Sequence, residues 1–201
     1  MSGDSTVDDC SSKGRTLLVD ASVFITLTKV DSIDALLTEA GEIVVPKPVE
    51  NEITSEPAAT ALASALENEK LETWDVAFGS LDTAANHLGK DLSDEELDGY
   101  GHTAIEGDVG LLALALQRND PDFEMVSPIV VTDDKPLRQT CKALSIPVSG
   151  SIGVLIRAVE RGEIEPAEAK GKLYAMDEVG ARLSASLIRR AERLIDEAVE
   201  K

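Results

Sequence analysis

TLLVDASVF, residues 16–24, is the stretch on which the reading of this chain turns. Four β-favouring residues lead into one acid, Asp20, and small, helix-compatible residues follow. In a parallel sheet, ligands and chemistry collect beyond the carboxyl ends of the strands. An acid at such an end is therefore a candidate wall of a site. Taken alone, Asp20 reads equally well as the cap of the segment after it. The choice depends on whether other strand ends deliver acids to the same place.

Working outward, EIVVP (42–46), PIVVT (128–132) and a brief SIPVS (145–149) repeat the pattern of short β-branched runs, with KLETW (70–74) as a weaker strand. Helix-period segments lie between them. DSIDALLTEA (31–40) starts at an Asp cap, and EPAATALASALENEK (56–70) carries an early proline suited to a first turn. GDVGLLALALQRN (107–119) has Leu and Ala on most faces and reads as buried, while DDKPLRQTCKALS (133–145) places Leu137, Cys141 and Leu144 on one stripe. SIGVLIRAVERGEI (151–164) is amphipathic, and the final stretch puts Leu187, Ala191, Leu194 and Ala198 on one face. Residues 79–102, irregular and acidic, read as short helices or a loop over one edge. Strands alternating with helices predict βαβ units and a mostly parallel sheet. The expected fold is α/β, a three-layer α/β/α sandwich. Residues 1–14 are expected to be a disordered leader, 15–162 the main domain and 163–201 a helical extension packed on it.

At 201 residues the chain can bury one sizeable core. No run approaches the roughly 18 apolar residues that span a bilayer, and the small, polar, acidic start lacks the features of a signal peptide. A cytoplasmic protein with no membrane partner is expected. Two cysteines, Cys10 and Cys141, are too few for a zinc ribbon, and far apart with no C-x-x-C pair they favour reduced thiols. The net charge is −19, from 38 Asp+Glu against 19 Lys+Arg, with 3% aromatic residues. That balance suits a salt-adapted protein: at about 1 M salt the Debye length is roughly 3 Å, so self-repulsion is largely screened. In ordinary buffer such a charge opposes nucleic-acid binding, where phosphate contacts dominate affinity. In molar salt only short-range contacts and bound cations decide.

Four segments can each bring a carboxylate to one rim. Asp20 ends the first strand, Glu52 follows the second early in the next helix, Asp108 opens the buried helix, and Asp133 and Asp134 leave the strand PIVVT directly. Each also has a structural reading, as a helix cap or a solvated acid. Gathered without a cation, such carboxylates raise one another's pKa. A stable cluster therefore implies a divalent metal, and oxygen-only ligation favours Mg²⁺ or Mn²⁺ over zinc.

LLVDASVF, VPKPVENEI, GDVGLLALA and VVTDDKPLRQTCKALSIPVSGSIGVLIRA, in that order from about residue 16 to 160, resemble the successive motifs of PIN-domain nucleases. The T-D-D followed by a helix, a short strand and G-S-I-G-V-L is similar to the compact prokaryotic branch related to VapC-type toxins, and the sequence is read as haloarchaeal. The resemblance implies a PIN-like fold and Mg²⁺- or Mn²⁺-dependent endoribonuclease activity. Asp20, Glu52, Asp108 and the Asp133/Asp134 pair would form the metal pocket. Thr132, Lys135 and Arg138 are weaker candidates to touch substrate, with Lys142, Arg157 and Arg161 as further cations. It also implies RNA as substrate, and leaves open an antitoxin protein as partner and a homodimer as an assembly. Glu50 and Glu106 rank as surface acids, and His102 as an incidental loop residue. Two other readings compete. One is an interaction module that keeps the fold without turnover. The other is a haloacid-dehalogenase-type phosphatase with Asp20 as nucleophile and Lys135 as its partner, but Ser22 stands where such enzymes carry a second acid.

Overall fold

A computed structural model describes residues 14–92, 105–117, 125 and 127–199. Residues 1–13 of the leader, with Cys10, and His102 lie outside the described residues. Five strands form one parallel sheet: β1 (Thr16–Val19), β2 (Glu42–Pro46), β3 (Glu72–Trp74), β4 (Ile129–Val131) and β5 (Val148–Ser149). Their spatial order is β3-β2-β1-β4-β5. The register is set by pairs such as Leu18 with Val44 and Leu18 with Val130. The fold is the α/β sandwich the strand–helix alternation predicts. β1 and β4 are central and covered on both faces, so Leu17, Leu18, Val19, Val130 and Val131 are buried. The edge strand β3, the weakest in sequence, is only partly covered.

Helices fill the connections: α1 (Ala21–Lys29), α2 (Ile33–Leu37), α3 (Lys47–Glu52), α4 (Ala58–Glu67), α5 (Phe78–Leu88), α6 (Gly107–Leu116), α7 (Lys135–Ala143), α8 (Ser151–Glu160), α9 (Pro166–Met176) and α10 (Ala185–Ala198). The chain runs β1 to β3 in one direction, then crosses back to add β4 and β5 on the other side of β1. Right-handed crossovers therefore send the two series of helices to opposite faces. Packing agrees: α5, α6 and α7 touch one another, while α1 and α2 pack with α8. α6 is apolar all round because it is buried all round, from Val109 through Ala115.

Three local expectations need correcting. α2 begins after Ser32, not at an Asp31 cap, because Asp31 sits in the left-handed region with φ of 48°. Pro57 precedes α4 as its flanking residue rather than lying in its first turn. The inward stripe of α10 is the half-buried Ile188 with the buried Ala191, Ile195 and Ala198, leaving Leu187 41% exposed. Both stripes share Ala191 and Ala198. The one that wins brings two β-branched residues, Ile188 and Ile195, onto a second apolar cluster with Val159, Ala169 and Leu173.

Arginines on α8 and at its end tie that helix to the end of α2 within one layer. Arg157 and Arg161 both pair with the buried Glu39 at the end of α2, at 2.6 and 3.2 Å. Arg161 also bonds the Ala35 carbonyl and Glu163. These two cations are engaged inside the fold, which removes them from the basic surface expected of them.

Candidate metal centre and nucleic-acid interface

The sheet order reverses at β1 and β4, so the crevice beyond their carboxyl ends is the topological switch point of the fold. Asp20 stands there. Its backbone N–H donates to the Val131 carbonyl, 3.0 Å away, which extends the β1–β4 ladder by one residue. Its position flanks α1, yet the side chain makes no cap bond to the helix. Instead Oδ2 accepts from the Ser22 and Thr132 hydroxyls, each at 2.6 Å. Asp20 is 7% exposed and has no ion pair among the described residues. Burial pushes its carboxyl above the ordinary value, the two hydroxyls push it down, and the neighbouring Asp134 carboxylate pushes it up again.

Asp133 and Asp134 leave β4 together and part at once. Asp134 caps α7, accepting from the Leu137 N–H at 2.7 Å, while its own N–H donates to the Thr132 hydroxyl at 3.0 Å. The Thr132 hydroxyl thus ties Asp20 to the start of α7. Asp133 turns the other way and accepts from the backbone N–H and hydroxyl of Ser151 at the start of α8. Of the pair, Asp134 is the one whose charge acts on Asp20. Arg138, one turn into α7, donates from Nη1 to the carbonyls of Thr132 and Ser149 and so fastens β4 to β5. Lys135 is exposed at the first position of α7.

The other side of the rim is built where α3 meets α6. α3 starts directly after β2, and Glu52 is its last residue rather than an early one. Gly107 and Gly110 face α3: a Cβ on Gly107 would lie 2.9 Å from both Glu52 carboxylate oxygens, and one on Gly110 would lie 2.9 Å from the Pro48 ring. Lacking side chains there, α6 lets α3 close in, and Glu52 accepts from the Gly107 N–H at 2.6 Å. Partial burial pushes the Glu52 carboxyl up, the Gly107 bond pushes it down, and Asp20, Asp108 and Glu106 each push it up. Asp108 is occupied: Lys90 lies 2.8 and 2.6 Å from its two oxygens and 2.5 Å from Glu106. Partial burial pushes the Lys90 ammonium down, but these two acids raise it above its usual value.

Of the expected acids, Asp20 therefore feels the charge of Asp134, and Glu52 feels those of Asp20 and Asp108, while Asp133 is turned to α8. Among the described residues, no three His, Cys, Asp or Glu side chains are close enough to form a ready ligand shell. The chemistry of the donors still fits a hard divalent cation. All are oxygens, and Asp20, Glu52 and Asp134 have no ion pair among the described residues. Lys90 and Ser151 carry no local signal in the sequence, and Ser22 reads there only as the residue in place of a second acid. The local signal for its role is a hydroxyl two residues after a strand-end acid.

The PIN-domain family model matches residues 16–197. The chain belongs to the PIN-domain family. The match spans all five strands and reaches into α10. PIN domains are generally nucleases and commonly use divalent metals. Among curated proteins, none matches this chain. No helix among the described residues is long and apolar enough to cross a membrane.

Proposed function

We propose that this PIN domain is a Mg²⁺- or Mn²⁺-dependent endoribonuclease that works in high salt, with Asp20 at the centre of its site. The observation that carries the reading is the buried Asp20 carboxylate at the switch point, held by two hydroxyls and no cation among the described residues. A buried charge left unneutralised is costly, and a site that keeps one is built to receive a counter-charge. Asp20, Glu52, Asp108 and Asp134 would hold the ion, which on binding would supply charge compensation at the scissile phosphodiester and activate water. Thr132 and Ser22 orient Asp20. Thr132 also fixes its spacing from Asp134. The resemblance to the VapC-type branch extends the proposal to a toxin restrained by an antitoxin protein.

The test is cleavage of RNA by the purified protein in molar KCl with Mn²⁺. Cleavage should stop on chelation and in Asp20→Asn, with circular dichroism unchanged. Activity that survives the substitution would remove Asp20 from the site, and cleavage of single-stranded DNA alone would replace the substrate.

One observation favours the second reading, an interaction module without turnover: Asp108 already has an internal cation in Lys90. Calorimetry separates the two, because a module of that kind would bind neither Mg²⁺ nor Mn²⁺.

A further inference from the structure

Lys90 reaches the rim because of how α5 ends. Gly89 adopts φ of 69°, the left-handed conformation that terminates a helix, and the Lys90 N–H returns to the Ala85 carbonyl at 2.9 Å. That closure fixes the Lys90 backbone and sends its side chain toward the first turn of α6. There the ammonium meets Glu106 Oε2 at 2.5 Å, Asp108 Oδ1 at 2.8 Å and Asp108 Oδ2 at 2.6 Å. An ammonium has three donors, and three carboxylate oxygens accept from it. Both oxygens of Asp108 are turned to Lys90, and Oδ1 also accepts from the Val109 N–H at 2.8 Å, so a second cation at Asp108 would meet the like charge of the ammonium at close range. Lys90 is also able to leave: its side chain is 30% exposed, on a flexible four-carbon stem.

We propose that Lys90 is the resident counter-ion of the rim, and that a divalent cation engages Asp108 only by displacing it. The inference rests on the reading of Asp108 as a metal ligand given above. It assigns the two sides of the rim different states before the metal arrives, with Asp108 neutralised from within and Asp20 waiting for a charge from solution. Metal binding then includes an exchange of one cation for another, and the freed ammonium remains beside the site.

Two measurements on the full-length protein test this. In Mn²⁺ titration calorimetry at constant KCl, Lys90→Met should bind about fivefold tighter than the wild type, the scale of one lost partly exposed ion pair. Lys90→Arg, which keeps the charge, should stay near the wild-type affinity. Equal or weaker binding by a folded Lys90→Met overturns the proposal. The second measurement needs no variant: mass spectrometry after brief acetylation of the wild type should show Lys90 modified severalfold faster with saturating Mn²⁺ than with chelator. An unchanged or slower rate overturns it. If the wild type and both variants bind no Mn²⁺, the metal-dependent reading falls and this inference falls with it. If all three bind equally, only the role of Lys90 is lost.

Discussion

The two sides of the rim use the same residue types to opposite ends. On the Asp20 side a buried carboxylate is held by the hydroxyls of Ser22 and Thr132, which fix its position but leave its charge intact. On the Asp108 side the carboxylate is clasped by Lys90, which fixes the position and cancels the charge. Neutral donors organise a site without satisfying it; a cationic donor does both. The difference explains why Asp20 is held above its ordinary titration range by burial and by Asp134.

The largest break in this contrast comes from Asp20→Asn. Cleavage should fall on the order of a thousandfold, equivalent to several kcal/mol of lost charge compensation. The same substitution should stabilise the metal-free fold, with a defined pH dependence. Because burial raises the folded-state value above the ordinary 3.8, the folded state holds its proton more tightly than the unfolded chain. Stability from this group is therefore lost as pH rises from the ordinary value through the raised one. Thermal melts in chelator should show the Asp20→Asn variant and the wild type converging at acid pH and separating toward neutrality. Thr132→Val comes next. It removes the hydroxyl shared by Asp20 and the Asp134 N–H, and should lower Mn²⁺ affinity about 10–100-fold and stability by about 1–3 kcal/mol. Gly107→Ala should be milder: the new methyl displaces the Glu52 carboxylate and costs severalfold in Mn²⁺ affinity by calorimetry. Stability stays nearly level, since alanine gains up to ~1 kcal/mol over glycine in a helix. Glu106→Gln should matter least. Its side chain is 68% exposed, so thermal unfolding should register under about 1 kcal/mol.

The strands were legible because a parallel sheet buried on both faces needs continuous β-branched runs. EIVVP marks β2 to the residue, whereas KLETW was weak because an edge strand needs less. The acids at strand ends and helix starts were legible too, since position in an alternating fold implies a common rim. Their partners were not. Whether Asp20 capped α1 depended on Thr132, 112 positions away. Asp133 and Asp134 are indistinguishable in sequence, and their separate directions are set by Ser151 and by the first turn of α7. Glu106 read as a surface acid and is one, yet it also grips Lys90. Arg138 read as a cation for substrate, while its Nη1 is committed to two backbone carbonyls. Cys141 shows the same dependence on burial, which raises its thiol to about 11 and keeps it in the free form.

The second apolar cluster beneath α10 has a dynamic consequence. Its buried members are three alanines with Val159, Leu173 and Ile195, a small area beside the core around β1, β4 and α6. Elements with few large apolar contacts open below the global unfolding free energy. Amide exchange should therefore divide the chain into two cooperative units. α10 would exchange through a partial opening that leaves the sheet closed, while the amides of β1 and β4 wait for complete unfolding. The rim beyond those two strands thus rests on the slowest-exchanging part of the molecule, insulated from excursions of its last helix.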